Sequence, residues 1–152
     1  MRAVIACDDQ GRIYVNGESV GEITNWETPL EIDLGGDLLP IVVAVEVHNA
    51  GGAGALLGAL KTQRDGIETE IAARWRCSSL REVAWFLPRF DDGHWSEPTE
   101  IAPFGGGPWL DQAGLHLERS AWVWVAPEPP DGTLFCRWRI EETSLAAGAR
   151  PK

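Results

Sequence analysis

The sequence predicts an all-β fold, a sandwich of short antiparallel strands, on three observations. Apolar and polar residues alternate with period two in several short segments, as they do on strands with one buried face. Eight Trp stand among seventeen Gly and ten Pro, a balance that suits short strands joined by tight turns better than a helix bundle. Asn16-Gly17 lies between two such segments and is a strong hairpin signal. With 152 residues the chain has the size of one domain and can bury a core without staples.

The first strand is expected over residues 3–7. It runs into a polar corner of Asp8, Asp9, Gln10 and Gly11, because Asp tolerates turn conformations and Gly accepts positive φ. Residues 12–15 alternate as its neighbour, and the segment 18–22 follows the Asn16-Gly17 turn. Trp26 precedes a polar turn containing Pro29, the run 30–34 alternates strictly as a half-buried strand, and Gly35-Gly36-Asp37 turns the chain. The strongest strand is 41–48, where β-branched residues dominate, with Val43, Val45 and Val47 on one face and Glu46 and His48 on the other. After a Gly-rich turn over 49–54, residues 55–62 read as a further strand or, from the spacing of Leu56, Leu57 and Leu60, as a short helix. A loop or hairpin is expected over 63–69 and a strand over 71–77. The Pro- and Gly-rich run 98–108 reads as a loop with little regular structure, closed by Trp109. Residues 121–125 and 134–140 are strands on either side of a turn at 127–132. One domain is expected over 1–145, with 146–152 a flexible tail.

A net charge of -10 argues against nucleic acid and against an anionic membrane surface, both of which recruit Lys and Arg. No run approaches the roughly 20 apolar residues of a spanning helix, and no secretory signal is visible after Met1. Three cysteines are too few and too scattered for a zinc pattern, and His48, His94 and His116 show no metal spacing. Cys77 and Cys136 sit in mirrored contexts, Arg-Trp-Arg-Cys and Cys-Arg-Trp-Arg. They are either two unrelated buried residues or, if their strands are neighbours, a disulfide that implies an oxidising, extracellular setting. Cys7 is expected buried and unpaired. No nucleophile elbow, His-Glu-x-x-His, phosphate loop or dinucleotide fingerprint occurs, so catalysis has the least support.

Ala-Cys-Asp-Asp at 6–9, Tyr-Val-Asn-Gly at 14–17, Val20-Gly21, Trp26, the 30–34 strand and Ala-Val-Glu-Val-His-Asn at 44–49 together resemble the galactose-binding-like jelly-roll β-sandwich. This is the module at the N-terminus of β-galactosidases and β-glucuronidases. The second half resembles the same module out of order: Trp85, Phe-Asp-Asp-Gly-His-Trp at 90–95, Trp109, Trp122-Val123-Trp124 and Phe-Cys-Arg-Trp-Arg-Ile at 135–140 correspond to what normally comes first. The chain is therefore a circular permutation, tolerated where termini lie close together, or a slice of a tandem array. In either case pairing of 134–140 beside 3–7 would complete one sandwich.

The resemblance implies a non-catalytic carbohydrate-binding, lectin-like module, with a structural or protein-interaction domain as the other reading. Asp8 and Asp9 are the foremost site candidates: adjacent carboxylates repel, and a hard cation with oxygen ligands relieves them. The corner is similar to the Asp-Asp turn of flocculin-type domains, which implies calcium and sugar hydroxyls as its ligands; Asn16 stands where that domain prefers Asp. The plain alternative is that Asp9 caps the turn. Trp26, Trp95 and Trp109 lie in or beside loops, where an indole stacks on a sugar ring or anchors its loop. Asp91-Asp92 reads as a structural turn, and Trp122 and Trp124 as core.

Overall fold

The computed structural model describes residues 1–35, 39–110, 112 and 115–148. Its strands are β1 Arg2–Asp8, β2 Gln10–Val15, β3 Glu18–Ile23, β4 Leu30–Asp33, β5 Ile41–His48 and β6 Ala55–Arg64. After these come β7 Ile67–Ala72, β8 Arg76–Ser78, β9 Thr99–Pro103, β10 Ala121–Trp124 and β11 Thr133–Ile140. A single 3-10 turn, Gly107–Trp109, and a short helix α1, Glu142–Gly148, complete the described elements. One antiparallel sheet runs β4-β1-β6-β10-β9, with β7 also on β6; the other runs β3-β2-β5-β11-β8. The architecture is a β-sandwich. Among the described residues, no helix is long and apolar enough to cross a membrane.

Period-two alternation places the core. Ala3, Ile5 and Cys7 of β1 and Leu56 and Leu60 of β6 face Val43, Val45 and Val47 of β5 and Leu134, Cys136, Trp138 and Ile140 of β11. The spacing that lets 55–62 read as a helix arises because both faces of β6 are apolar: Leu57 points to the opposite side, into a second cluster with Ala6, Trp109 and Trp122. A third cluster, Ala44, Trp85, Trp95 and Phe135, covers the outside of the other sheet. Both sheets thus carry a covered outer face, and this is why Ile41 to Val45 are buried without a break. Trp122 and Trp124 are both buried but belong to different clusters, with a register irregularity between Trp122 and Val123.

Three expectations are corrected. The segment 71–77 is two strands in two sheets, since β7 ends at Ala72 and β8 starts at Arg76. Between them Trp75 is buried over Gly58, where an added Cβ would meet its ring at 2.6 Å. The run 98–108 contains β9, an edge strand on β10; Pro103 ends it where a missing N–H costs no central ladder bond. Strand β11 does not pair with β1. It lies between β5 and β8, while β1 lies between β4 and β6 in the facing sheet, so the two strands meet across the core. The expected turn at Gly35-Gly36-Asp37 falls in part, and residues 149–152 of the expected tail fall wholly, outside the described residues.

Cys77 and Cys136 are direct cross-strand partners of β8 and β11 and form a disulfide. It links positions 59 residues apart, and chain-entropy reasoning gives about 4 kcal/mol for such a loop. Cys7 is free and buried in the same core cluster. Burial, reinforced by the charges of Asp8 and Asp9, pushes its thiol up to about 12.

Candidate functional site

The Asp8–Asp9 corner ends β1 and starts the hairpin to β2. Asp8 Oδ2 accepts a hydrogen bond from Trp109 Nε1 at 2.9 Å, and Asp9 Oδ2 accepts one from the Ala50 amide at 2.7 Å. Asp9 therefore ties the corner to the end of β5 and the loop after it, its own amide donating to the His48 carbonyl at 3.1 Å. Partial burial, a hydrogen bond to Asp9 and the Asp9 charge raise Asp8 to about 6, against the opposing effect of the Trp109 N–H. Asp9 is lowered by the hydrogen bond from Asp8 and by the Ala50 amide. The pair thus shares one proton in mildly acidic solution.

Calcium takes six to eight oxygen ligands. The corner offers two carboxylates already engaged by an indole and an amide, and among the described residues no group of three or more His, Cys, Asp and Glu is arranged to hold a metal. Among the described residues the corner thus supplies two carboxylates toward the six to eight oxygens that calcium takes.

The other candidates are dispersed. Asn16 Oδ1 accepts the Val42 amide at 2.9 Å and pins the hairpin turn to β5. Trp26 is half-buried against the cluster that holds Trp109, and its carbonyl accepts from Gln112 Nε2. Trp109 is 3% exposed and stacks on Trp122 with ring centroids 5.1 Å apart. Trp95 is buried on the opposite outer face, stacked on Trp85, and its Nε1 donates to Glu82 Oε2 at 2.6 Å. Asp8, Asp9 and Trp109 come together; Asn16 and Trp95 lie elsewhere. The indole faces of Trp95 and Trp109 are spent on packing.

A groove of about 690 Å³ lies at the open flank of the sandwich, between edge strands β8 and β9. Cys77, Val125 and Leu134 form its apolar base, and Ser96, Thr99 and the 127–130 turn rise around it. Its polar lining includes Glu82, His94, Glu97 and Glu128, with no Lys or Arg among the described lining residues. Glu82 is held by His94 Nε2 at 2.8 Å and by Trp95 Nε1, and these two bonds keep its carboxyl below the usual range. Glu128 is fixed by Asn49 Nδ2 at 2.9 Å and by Trp124 Nε1 at 2.7 Å. Glu97 is exposed and has no hydrogen-bond or ion-pair partner among the described residues.

The groove escaped sequence reasoning except for Trp95, because its walls come from two loops far apart in the chain. The one local signal was the polar His-Trp-Ser-Glu run at 94–97, directly before the Pro- and Gly-rich segment. No family model, curated protein or solved structure matches the chain.

Proposed function

We propose that this chain is a non-catalytic carbohydrate-binding module of the galactose-binding-like jelly-roll type, holding a neutral sugar in the flank groove. The observation that carries the reading is the combination of groove size and lining. About 690 Å³ falls inside the range of roughly 300–1,000 Å³ for small-molecule sites. Fixed carboxylates accept from sugar hydroxyls, and charge-assisted bonds of this kind are the strong ones. Val125, Pro127 and Leu134 offer an apolar surface to the C–H face of a ring. With three Glu and no Lys or Arg in the described lining, uronic acids and sulfated sugars are repelled. The reading assigns no calcium. The Cys77–Cys136 bridge supports an extracellular setting.

A second reading, a protein-interaction domain, is favoured by the loop that covers Trp85: Val83 is 94% and Leu80 71% exposed. A glycan array run with and without a calcium chelator separates the two. The expected outcome is binding to neutral glycans, none to acidic ones, and no effect of chelation. Absence of binding to every glycan would leave the interaction domain as the account of this chain.

A further inference from the structure

A second cavity, of about 370 Å³, lies at the other end of the structure's chemistry. It is bounded by β7, the segment after it, the chain entering β10, and α1. Its floor is apolar, made by Ile71, Ala73 and Trp138. Trp138 is a core residue, 2% exposed and packed edge-on against Trp75 at 5.6 Å, so the cavity opens directly onto the interior between the sheets. Its rim carries Glu70, Arg74, Arg119, Thr143 and Ser144.

Glu70 is already committed: Oε1 accepts the Glu118 amide at 2.6 Å, and Oε2 accepts the Arg119 amide at 2.8 Å and Ser120 Oγ at 2.7 Å. These bonds position the Arg119 backbone at the wall. Arg74 has no hydrogen-bond or ion-pair partner among the described residues, although Asp and Glu outnumber Lys and Arg by 23 to 13 in the chain. A guanidinium with no carboxylate partner among the described residues, at the mouth of an apolar-floored cavity, marks a place for an external one. Its planar fork matches a carboxylate in two parallel hydrogen bonds. Ser144 Oγ accepts the Glu141 amide at 3.2 Å and keeps its own proton free to donate.

We propose that this cavity binds a small organic carboxylate, its apolar body against Trp138 and Ile71 and its carboxylate on Arg74. The site is separate from the flank groove, whose lining repels anions, and stands independently of the carbohydrate reading. The net charge of the chain opposes anion approach at long range, but at about 0.1 M salt that field is screened beyond roughly 10 Å, leaving the rim to decide.

Calorimetric titration of the full chain with benzoate, benzamide and acetate tests this. Benzoate is expected to bind saturably with one site per chain. Benzamide, which has the body without the charge, and acetate, which has the charge without the body, are expected to bind about tenfold or more weakly. Arg74→Gln should weaken benzoate by a similar factor, whereas Arg89→Gln, at an exposed arginine in the loop over the opposite sheet, should leave it unchanged. Arg74 is exposed and has no partner among the described residues, so its replacement is expected to leave the melting temperature unchanged. Equal affinity for benzamide, equal loss in both variants, or no saturable benzoate binding at millimolar concentration would overturn the proposal.

Discussion

On the outer face of the β3-β2-β5-β11-β8 sheet, Trp85 is sealed by a loop that Arg137 holds. On the outer face of the other sheet, Trp109 is held by Asp8. Arg137, 2% exposed, donates from Nε to Asp92 Oδ2 at 2.9 Å, from Nη1 to the carbonyls of Trp85 at 2.6 Å and Leu87 at 2.8 Å, and from Nη2 to that of Phe90 at 3.1 Å. Asp8 accepts one indole N–H and sits beside a second carboxylate. Both faces use a tryptophan as cover and a charge as its anchor. In the first the charge meets its opposite and four of its five N–H donors are used, which is the condition under which a buried ion is tolerated. In the second, like charges adjoin, and the arrangement is settled only while the pair keeps a proton. The first region is a structural clamp, and the second is a titrating joint between the β1–β2 corner, the 49–54 loop and the Trp109 segment.

Breaking the clamp should have the largest effect. Arg137→Met removes the partner of Asp92 and takes the guanidinium from the carbonyls of Trp85 and Phe90, while that of Leu87 keeps the Phe90 amide, and a loss of about 3–5 kcal/mol is expected in urea denaturation. Arg137→Lys should recover little of it, since an ammonium cannot reproduce the fork that reaches Asp92 and the carbonyls together. A loss below about 1 kcal/mol would show that the loop holds itself through the Trp85 and Phe90 packing alone.

The joint should respond to pH in the opposite sense from an ordinary ion-paired carboxylate. Asp8 is raised to about 6 in the folded chain, so the stability it contributes is full below its unfolded value near 4 and is lost as pH rises through about 6. Asp9 is lowered, so its contribution is present above its unfolded value and lost as pH falls. Together they place the corner's optimum between about pH 4 and 6. Asp8 is partly exposed, and solvent screening reduces the effect to about 1 kcal/mol or less. Asp8→Asn, which keeps the shape and removes the charge, should flatten the melting temperature between about pH 5 and 7. An unchanged slope in that variant would show that the two carboxylates do not share a proton.

Asp8, Asp9 and Trp109 stood out singly in the sequence, whereas for the clamp only its parts were legible. The alternation of 134–140 puts Arg137 on the face opposite Trp138, and Asp91-Asp92 reads as a turn; Asp91 Oδ1 indeed accepts the Gly93 amide at 2.9 Å. The mirrored Arg-Trp-Arg contexts left a Cys77–Cys136 bridge as one of two readings, and the pairing of β8 with β11 decides for it. What failed was non-local. Strand β8 has three residues, too short for periodicity, and β9 lies inside a Pro- and Gly-rich run and ends on Pro103; each is an edge partner of another strand. Trp109 reaches Asp8 across 101 positions, and no spacing rule reports such a contact. Asp8 and Asp9 stood out because adjacent carboxylates are visible in a sequence, whereas the Ala50 amide and the Trp109 indole that each bond one of their oxygens are not.

The proposed carbohydrate reading uses the flank groove rather than the Asp8–Asp9 corner, and mapping separates them directly. Amide chemical shifts of isotopically labelled protein, followed while the tightest neutral glycan from the array is added, are expected to move in residues 78–97 and 125–130 and to stay fixed at 8–9 and 49–52. Shifts centred on Asp8, Asp9 and Ala50, with the groove silent, would contradict the account.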